Sequence, residues 1–347
     1  MYVTFLTRRF YPCIGGVEKH VMEISKELIK KGHVITIITE SNDITSAVKD
    51  EINGIKIFRI STGTDNWFKK IRIWKEIWKL RKVLQNSDVI HCHDVFFWYL
   101  PFRFVFFKPV FTTFHGYESY PIKKGAIISR KIAEKLSWGN ICIGDFIKKW
   151  YGTKPTYVSY GGTEVIKLMP QVPEGSNVKQ QKESALFIGR LDEQTGILTY
   201  AKTIEYVKKE YPKFDFSIVG DGKYRKMLDK SLKVFGFKKD PEKYFAQYNF
   251  AFVSRYLSIL EAFAHQKLVF ATYDNPVKED YLTLAPFAKW IVIEKDPKKL
   301  AEKVTYYLNN PAKKKELTDL AFLWVKDQTW AKVTEIYLSL WGRANTF

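Results

Sequence analysis

The chain has 347 residues, of which 46% are hydrophobic, and its 56 Lys+Arg against 37 Asp+Glu give a formal net charge of +19. This length exceeds what one hydrophobic core usually serves, so we expect two domains, and the apolar content excludes a largely disordered chain. Cys13, Cys92 and Cys142 are isolated, without CxxC spacing, which argues against a disulfide framework or a zinc site and favours a reducing compartment.

The sequence predicts neither a membrane-spanning segment nor a signal peptide. The most apolar stretch, residues 95–107, is too short to cross a bilayer and contains Pro101 and Arg103. Arg8 and Arg9 follow the first apolar run at once, which is unlike a signal peptide. We therefore expect a cytoplasmic protein, and its excess positive charge is typical of proteins that associate with anionic surfaces.

The first elements in chain order are a strand, a glycine loop and a helix. Residues 2–7 form an apolar run, and Gly15 and Gly16 separate it from a helix that opens at Val17. Two glycines at such a turn let the backbone approach a ligand closely and direct the first helical N–H groups at it. With a buried-type strand at residues 34–39, this segment predicts a βαβ unit.

Strand-like and helix-like runs then alternate to the end of the chain. The expected strands are residues 55–60, 89–92, 110–114, 141–143, 157–159, 185–188, 214–219, 250–253 and 268–272. The expected helices are residues 67–84, 126–136, 199–209, 223–235, 259–265, 297–308, 313–326 and 330–340. This alternation predicts an α/β fold with two Rossmann-like, doubly wound parallel sheets that face each other across a ligand-binding cleft.

The Pro-, Gly- and Gln-containing segment 170–184 interrupts the alternation and is expected to be the linker. We therefore predict an acceptor-side domain at residues 1–169 and a donor domain at residues 185–325. The apolar stripe of the last helix, which includes Trp330, Tyr337 and Leu340, must pack on its own domain or on the first one. We expect residues 326–347 to return to the first domain.

Six short motifs occur in one order along the chain. They are Gly15-Gly-Val-Glu-Lys-His-Val, His115-Gly-Tyr-Glu, Ile188-Gly-Arg-Leu-Asp, Val219-Gly-Asp-Gly, Leu260-Glu-Ala-Phe-Ala and Thr329-Trp-Ala-Lys-Val. Together they resemble the retaining glycosyltransferases of family 4, which have the GT-B fold. The resemblance covers nearly the whole chain and implies transfer from a nucleotide sugar, with no metal and no other cofactor.

The resemblance implies roles for individual residues. Gly15 and Gly16 would lie near the donor diphosphate and the acceptor, although a tight turn without a ligand is the alternative. His115, followed by Gly116, would hydrogen-bond the donor sugar near the reacting carbon. Arg190 would pair with the diphosphate through its bidentate fork, and Glu261 would accept a hydrogen bond from the ribose.

Further donor contacts are expected along the second domain. Gly220 and Gly222 mark a strand-to-helix turn that resembles a ligand-binding turn, and the backbone near Phe237 would contact a nucleobase, although an apolar strand explains that segment equally well. The helix N-terminus at Arg255, Tyr256 and Leu257 offers backbone N–H groups to a phosphate.

The sequence departs from the family pattern at two positions. Thr195 stands where the family usually has a lysine that binds the diphosphate, and Val253 stands where the first glutamate of an E-x7-E pair is expected. Ser254 or Arg255 could take over part of the glutamate's role, and Arg255 could also replace the lost lysine by adding one positive charge to the same pocket.

His91, His93 and Asp94 form a cluster that could suggest a metal site. We discount it, because alternate residues of a strand share one face and no third ligand is evident nearby. His20 is expected to be structural or at the surface.

Residues 67–82 combine seven Lys/Arg and one Glu with three tryptophans. A basic, Trp-rich amphipathic helix favours docking at an anionic membrane. The alternative is that Ile71, Trp74, Ile77 and Trp78 belong to the core while the lysines face water. Nucleic acid is the rival anionic partner, but no nucleic-acid-binding motif is present.

We therefore expect a glycosyltransferase that is peripherally bound to the cytoplasmic face of a membrane. It would move a sugar from a nucleotide donor to a lipid-linked or saccharide acceptor. The alternative is a catalytically silent, glycosyltransferase-like scaffold, because the lost lysine and glutamate weaken the expected donor site.

Overall fold

The computed structural model describes residues 1–41, 49–164 and 183–343. The chain divides into two compact units, one formed by Met1–Gly161 with Trp330–Phe347 and the other by Gly162–Thr329. Most of the linker expected at 170–184 lies outside the described residues, but Ser184 already belongs to a strand. None of the helices in the described ranges is long and apolar enough to cross a membrane.

The first unit contains an eight-stranded sheet. Its strands are β1 (Tyr2–Thr7), β2 (Val34–Glu40), β3 (Lys49–Ile52), β4 (Ile55–Ile60), β5 (Val89–His93), β6 (Val110–Phe114), β7 (Gly139–Ile143) and β8 (Tyr157–Ser159). Their order in the sheet is β3-β4-β2-β1-β5-β6-β7-β8. Only the edge strand β3 pairs antiparallel, and β5 and β6 are buried along their full length, as expected for parallel strands covered on both faces.

Helices cover this sheet. They are α1 (Gly16–Lys30), α2 (Lys69–Lys79), α3 (Arg81–Gln85), α4 (Phe96–Tyr99), α5 (Lys124–Leu136) and α6 (Phe146–Tyr151), followed at the end of the chain by α12 (Trp330–Gly342). In α1, Val21, Ile24 and Leu28 are fully buried, so the apolar spacing of the sequence faces the sheet.

The last helix, α12, packs within the first unit. Tyr337 and Leu340 are fully buried, and Lys31 at the end of α1 forms an ion pair of 2.6 Å with Glu335. A Cβ at Gly139 on β7 would lie 2.7 Å from the Leu340 Cδ1 atom, so the helix approaches this strand too closely for a side chain there. The apolar stripe seen in the sequence is therefore buried against the first sheet.

The second unit contains a six-stranded parallel sheet in the order β11-β10-β9-β12-β13-β14. Its strands are β9 (Ser184–Ile188), β10 (Asp215–Val219), β11 (Lys233–Val234), β12 (Phe250–Phe252), β13 (Leu268–Ala271) and β14 (Ile291–Ile293). Its helices are α7 (Ile197–Glu210), α8 (Tyr256–Ala264), α9 (Pro276–Thr283), α10 (Pro297–Asn309) and α11 (Pro311–Val325). The prediction of two Rossmann-like α/β units is confirmed.

Two predicted helices are wrong in part. The helix expected at 67–84 is divided at Leu80 into α2 and α3. The helix expected at 223–235 is a 3-10 turn, Lys223–Met227, followed by the short strand β11. The Asp229 carboxylate accepts the Ser231 N–H at 2.7 Å, and such a local side-chain bond competes with helix formation.

Candidate active site

The loop after β9 presents Arg190 at the carboxyl edge of the second sheet. Its guanidinium forms an ion pair of 3.2 Å with Asp192 and donates to Gln194 Oε1 at 3.3 Å. The side chain of Arg190 remains 58% exposed, so it is open to a ligand from solvent. The sequence prediction of a cation at this strand end is consistent with this geometry.

Arg255, at the N-terminus of α8, reaches the same point. Its Nη2 donates to Gln194 Oε1 at 2.6 Å, so one amide oxygen accepts hydrogen bonds from Arg190 and Arg255 together. The acceptor that the two guanidinium groups share is neutral, so the Asp192 carboxylate beside Arg190 leaves part of their positive charge uncompensated. The arrangement suits an anion with several oxygens, such as a diphosphate.

The two positions that depart from the family pattern are buried. The Thr195 hydroxyl donates to the Arg190 carbonyl at 2.7 Å and to the Asp192 carbonyl at 2.9 Å, so it supports the turn that carries Arg190. Val253 is 1% exposed, and the neighbouring Ser254 hydroxyl donates to the Thr195 carbonyl at 3.1 Å. These residues stabilise the loops, and the buried Ser254 hydroxyl already has a partner within the protein.

The N-terminus of α8 is partly occupied by the protein itself. The Tyr256 N–H donates to the Tyr281 hydroxyl at 2.8 Å, and the two aromatic rings stack at 3.8 Å. The N–H of Tyr256 is therefore already satisfied in this structure, which argues against its predicted phosphate contact, whereas Leu257 is partly exposed. One turn further along, Glu261 lies 7% exposed on the same helix.

Lys278 on α9 is a third cation of this region. Its side chain is 1% exposed, and its Nζ donates to the carbonyl oxygen of Ser254, beside Arg255. Burial, and then the nearby positive charge of Arg255, hold the pKa of Lys278 well below its usual range. Lys278 also stands over the Tyr281 ring of its own helix at 4.2 Å, and its bond to Ser254 joins α9 to the loop that precedes α8.

A cavity of about 160 Å³ opens beside these residues within the second unit. Its walls include Asp192, Gln194, Thr272, Asp274 and Lys278. These five side chains are polar, and Ile197 and Leu198 add apolar surface to the same cavity. Such a lining can hydrogen-bond a hydroxylated ligand.

The glycines of Val219-Gly-Asp-Gly are required by the chain itself. A Cβ at Gly220 would overlap the carbonyl oxygen of Gly189, and one at Gly222 would lie 2.6 Å from the carbonyl oxygen of Leu191. Both glycines also have positive φ, near +150° and +155°. Close packing of two strand-end loops explains these glycines, and their predicted ligand contact stays a prediction.

The segment expected near a nucleobase borders the same sheet edge. The Phe235 N–H donates to the Ile218 carbonyl at 2.8 Å, and the Gly236 carbonyl accepts the Gly220 N–H at 2.9 Å. Phe237 follows with its ring 57% exposed. The backbone of this segment therefore extends the sheet, while the exposed ring remains available to a planar base.

In the first unit, Gly15 and Gly16 begin α1 as expected. Gly15 caps the helix with an extended backbone, and its carbonyl accepts the Lys19 N–H at 2.9 Å. A Cβ at Gly15 would collide with the Glu18 carboxylate, whereas a Cβ at Gly16 would meet nothing within 4 Å. The Glu18 side chain is flexible and the Gly15 backbone is extended, so the packing of the described residues requires a glycine at neither position, and a ligand could be the reason for both.

His115 lies at the carboxyl end of β6 and is partly exposed. The backbone N–H of His115 donates to Asp94 Oδ1 at 3.0 Å, and the ring Nε2 of His115 lies 2.9 Å from His93 Nδ1. The neighbouring Gly116 carbonyl accepts from Arg130, whose guanidinium also pairs with Glu118 at 2.9 Å. Two strand ends and one helix thus fix the His115 loop.

Four histidines of the first unit form one cluster. The ring centroids of His91 and His93 are 5.0 Å apart, those of His93 and His115 are 5.2 Å apart, and those of His20 and His115 are 4.8 Å apart. The segments of β6 and α1 thus bring two further histidines beside His91 and His93, a neighbourhood that the sequence did not reveal. Even so, the described ranges contain no group of His, Cys, Asp or Glu arranged to hold a metal.

Burial keeps these histidines neutral. It lowers the pKa of His20 to about 3 and holds the pKa values of His91, His93 and His115 well below their ordinary 6.5. Coulombic repulsion within the cluster adds to the effect for the last three. His20 is thus structural, as expected, but it is buried and not at the surface.

The basic helix α2 is only partly built into the core. Ile73 and Ile77 are buried, and the Trp74 Nε1–H donates to the Phe97 carbonyl at 3.0 Å. Ile71 and Trp78 are about half exposed, so the alternative that assigns them to the core is wrong for these two. We define the basic aromatic face as the exposed apolar residues Trp67, Phe68, Ile71, Trp78, Phe104 and Phe107 together with the exposed basic residues Lys70, Lys75, Lys79, Arg81 and Lys82.

Sequence reasoning missed several residues of these sites. Gln194 and Lys278 join the Arg190 and Arg255 region, while Tyr337 and Trp341 of α12 reach the histidine cluster. None of them stands in a distinctive motif. Only contacts between distant segments bring them to the sites.

Comparison with protein families gives two adjoining matches. The family model described as Glycosyltransferase Family 4 matches residues 14–155, and the model described as Glycosyl transferases group 1 matches residues 182–310. The two matches cover most of the chain and fall on the first and the second unit.

Curated relatives match at low identity. The gpi3 subunit of phosphatidylinositol N-acetylglucosaminyltransferase from Schizosaccharomyces pombe is 24% identical over 231 residues, which cover 61% of this chain and 49% of that protein. A Homo sapiens relative that is named for the same transferase is 22% identical over 237 residues, covering 63% of this chain and 48% of that protein. The matched regions thus span about half the length of these relatives.

Solved structures match over nearly the whole chain. A sucrose-phosphate synthase from Thermosynechococcus elongatus has a TM-score of 0.80 at 14% identity and covers 99% of both chains. Anabaena HepE in complex with UDP and glucose has a TM-score of 0.75 at 14% identity and covers 100% of both chains. Together with the family matches, these findings show that the chain belongs to glycosyltransferase family 4 and is a glycosyltransferase with the two Rossmann-like units of the GT-B fold.

Proposed function

We propose that this enzyme transfers a sugar, with retention of anomeric configuration, from a uridine diphosphate sugar to a lipid-linked acceptor. The observation that carries the proposal is the shared Gln194 oxygen, which holds Arg190 and Arg255 within reach of one ligand. A diphosphate would displace Gln194 as their common acceptor. Arg255 would then supply the positive charge that the lysine absent at Thr195 gives in the family.

Chemically, the two arginines would stabilise the leaving diphosphate as the glycosidic bond breaks. Glu261 would accept a hydrogen bond from the ribose, and His115 would donate one to the sugar. Gly15 and Gly16 would allow the donor and the acceptor to approach the backbone. The reaction needs no metal in this proposal, because the arginines and backbone N–H groups carry the neutralising charge.

The choice of donor and acceptor rests on the relatives. HepE binds UDP, and the curated relatives carry phosphatidylinositol in their names. We propose a phosphatidylinositol-type lipid as the acceptor. The basic aromatic face would dock the enzyme on an anionic membrane at its cytoplasmic side, since each nearby Lys or Arg contributes about 1 kcal/mol of attraction.

The donor proposal is tested by thermal shift with a panel of nucleotides and nucleotide sugars, followed by a transfer assay on lipid extracts. We expect UDP sugars to raise the melting temperature, because they bind only the folded protein. Arg190→Ala and Arg255→Ala should each weaken binding at least tenfold, the size of one charge-assisted hydrogen bond. Lys315→Ala, which removes an exposed lysine paired with Asp319 on α11, is the matched control.

The proposal would be contradicted if no nucleotide or nucleotide sugar raised the melting temperature, or if both arginine variants bound as wild type does. Binding without transfer would favour the silent scaffold.

Membrane docking is tested by co-sedimentation with vesicles. Wild type should bind vesicles that contain phosphatidylinositol and bind neutral phosphatidylcholine vesicles less, with loss at high salt. Trp67→Ser with Phe107→Ser should reduce binding, because both rings are more than three-quarters exposed. Leu323→Ser, at an exposed leucine of the second unit, should leave binding unchanged. Equal binding by all three proteins would exclude the basic aromatic face.

A further inference from the structure

Four hydrogen bonds join the last helix to the histidine cluster through buried side chains. The Trp341 Nε1–H donates to His91 Nδ1 at 3.0 Å, and His91 Nε2 lies 2.7 Å from Thr113 Oγ1. Thr113 Oγ1 lies 2.9 Å from the Tyr337 hydroxyl, which in turn lies 2.9 Å from His20 Nε2. All five residues are at most 2% exposed, so water does not compete for these bonds.

Trp341 fixes which atom donates in each of these hydrogen bonds, because an indole N–H can only donate. His91 Nδ1 must therefore accept. Burial keeps His91 neutral, so its one ring proton lies on Nε2 and is donated to Thr113.

The next two bonds follow from the cost of an unpaired proton. If Tyr337 also donated to Thr113, the threonine hydroxyl proton would have no acceptor among the described residues, and a buried unpaired donor is costly. Thr113 therefore donates to Tyr337, and Tyr337 donates to His20 Nε2. The proton of neutral His20 is thereby placed on Nδ1.

The series of hydrogen bonds ends at His20, which packs against His115. The proposed function assigns His115 to the donor sugar. The rings of His20 and His115 pack edge to face, 4.8 Å apart at 84°. Because Tyr337 occupies the His20 Nε2 lone pair and the proton of His20 lies on Nδ1, the ring that contacts His115 is held in a single tautomer. The Trp330 ring packs edge to face against His20, a contact that a phenylalanine ring can keep.

A second pair sets the proton on His115. His93 Nδ1 lies 2.9 Å from His115 Nε2, and the buried His93 Nε2 has no hydrogen-bond partner among the described residues. Burying a bare lone pair is less costly than burying an unpaired N–H, so His93 carries its proton on Nδ1 and donates it. His115 then accepts at Nε2 and keeps its own proton on Nδ1, available for donation.

We propose that Trp341, Tyr337 and His20 are positioning residues: they fix the ring that packs against His115, while His93 fixes the proton of His115, so that His115 is presented to the sugar as a neutral hydrogen-bond donor. This inference rests on the proposed function of His115 and extends it to the C-terminal helix. α12 would then be a working part of the site, because it supplies the N–H that orients every proton in the chain.

The first test measures the protons directly. The full-length protein labelled with 15N-histidine is examined by NMR at pH 7.5, where the nitrogen shifts and proton couplings distinguish a protonated from a bare ring nitrogen. We expect His20 and His115 to be protonated on Nδ1 and His91 on Nε2. A proton on His20 Nε2, or a charged His20, would overturn the proposal whether or not the protein transfers sugar.

The second test is kinetic and uses two tryptophans of the same helix. Trp341→Phe removes the donor that fixes the chain, whereas Trp330→Phe removes an equally buried indole whose N–H makes no recorded hydrogen bond to the described residues. We expect Trp341→Phe to lower kcat about tenfold with little change in donor KM, and to leave His20 in a mixture of tautomers. Trp330→Phe should keep one tautomer.

Tyr337→Phe, which interrupts the chain in the middle, should reproduce the loss of kcat even if Trp341→Phe folds poorly. If the activity and the tautomers of Trp341→Phe and Tyr337→Phe match those of Trp330→Phe, the proposal is wrong while the proposed transfer reaction stands.

Discussion

Acidification should destabilise the first unit selectively, because four neutral histidines are buried there. Each has a folded-state pKa below the ordinary 6.5, so the unfolded chain binds more protons than the folded unit once the pH falls below 6.5. Stability is therefore fully present above pH 6.5 and is lost as the pH falls toward the folded-state values. For His20 this window extends from 6.5 down to about 3.

The magnitude follows from the size of the window. A histidine that stays neutral in the folded unit at pH 5 lowers the free energy of unfolding by about 2 kcal/mol relative to pH 7.5, at about 1.36 kcal/mol per pH unit. His20 alone accounts for that amount, and the lowered pKa values of the other three histidines act in the same direction. Total stabilities of domains are about 5–15 kcal/mol, so the effect is large. Asp94 acts in the opposite direction, but its side chain is exposed, so it offsets less than one histidine.

Hydrogen exchange with mass spectrometry can read the two units separately at pH 7.5, 6.5, 5.5 and 5. After correction for intrinsic exchange rates, peptides from β5 and β6 should lose protection as the pH falls, whereas peptides from β12 and β13 serve as an internal control. His20→Gln should reduce the number of protons that the first unit takes up on unfolding by about one, and the pH dependence of its stability should become flatter. His33→Gln, at a partly exposed histidine outside the cluster, should flatten it less: burial, and then the N-terminal amine, lower the pKa of His33 as well, but water screens this ring.

The reasoning is refuted if the unfolding free energy of the first unit changes by less than about 1 kcal/mol between pH 7.5 and 5. It is equally refuted if His33→Gln and His20→Gln flatten the profile alike.

Three further predictions concern single side chains. Gly220→Ala should lower the free energy of unfolding in urea by more than about 3 kcal/mol, because its Cβ would overlap a backbone carbonyl oxygen. Gly16→Ala should be as stable as wild type but bind the donor or the acceptor less tightly, because a Cβ there meets nothing in the protein. Equal stability of the two variants would contradict this. Gln194→Glu should weaken UDP binding about thirtyfold in calorimetry, because a carboxylate would neutralise both arginines, and an unchanged Kd would exclude the site. Lys278→Met should have a higher free energy of unfolding than wild type at pH 7, because the buried amine of Lys278 has a lowered pKa. The difference between the two proteins should shrink by up to about 1.4 kcal/mol per pH unit toward pH 10, where the unfolded chain also loses the proton. A difference in urea unfolding that stays constant from pH 7 to pH 10 would contradict it.

The sequence alone determined the architecture and the places where function begins. Apolar periodicity and turn residues are local properties, so they predicted the alternation of strands and helices and placed Gly15, His115 and Arg190 at strand ends. They failed where a local interaction competes with periodicity, as at Asp229, whose carboxylate bonds to the backbone and ends the predicted helix.

Only the tertiary structure decided which side chains meet. Arg255 reaches Gln194 across 61 residues of sequence, and Trp341 reaches His91 across 250. No spacing rule encodes such contacts, because they depend on how strands order themselves in the sheet and on which face a distant helix covers. The sequence therefore indicated the family and placed Arg190 and His115 in the two candidate sites. Packing between remote segments added Gln194 and Lys278 to the first site and determined which ring nitrogens of the histidine cluster carry protons.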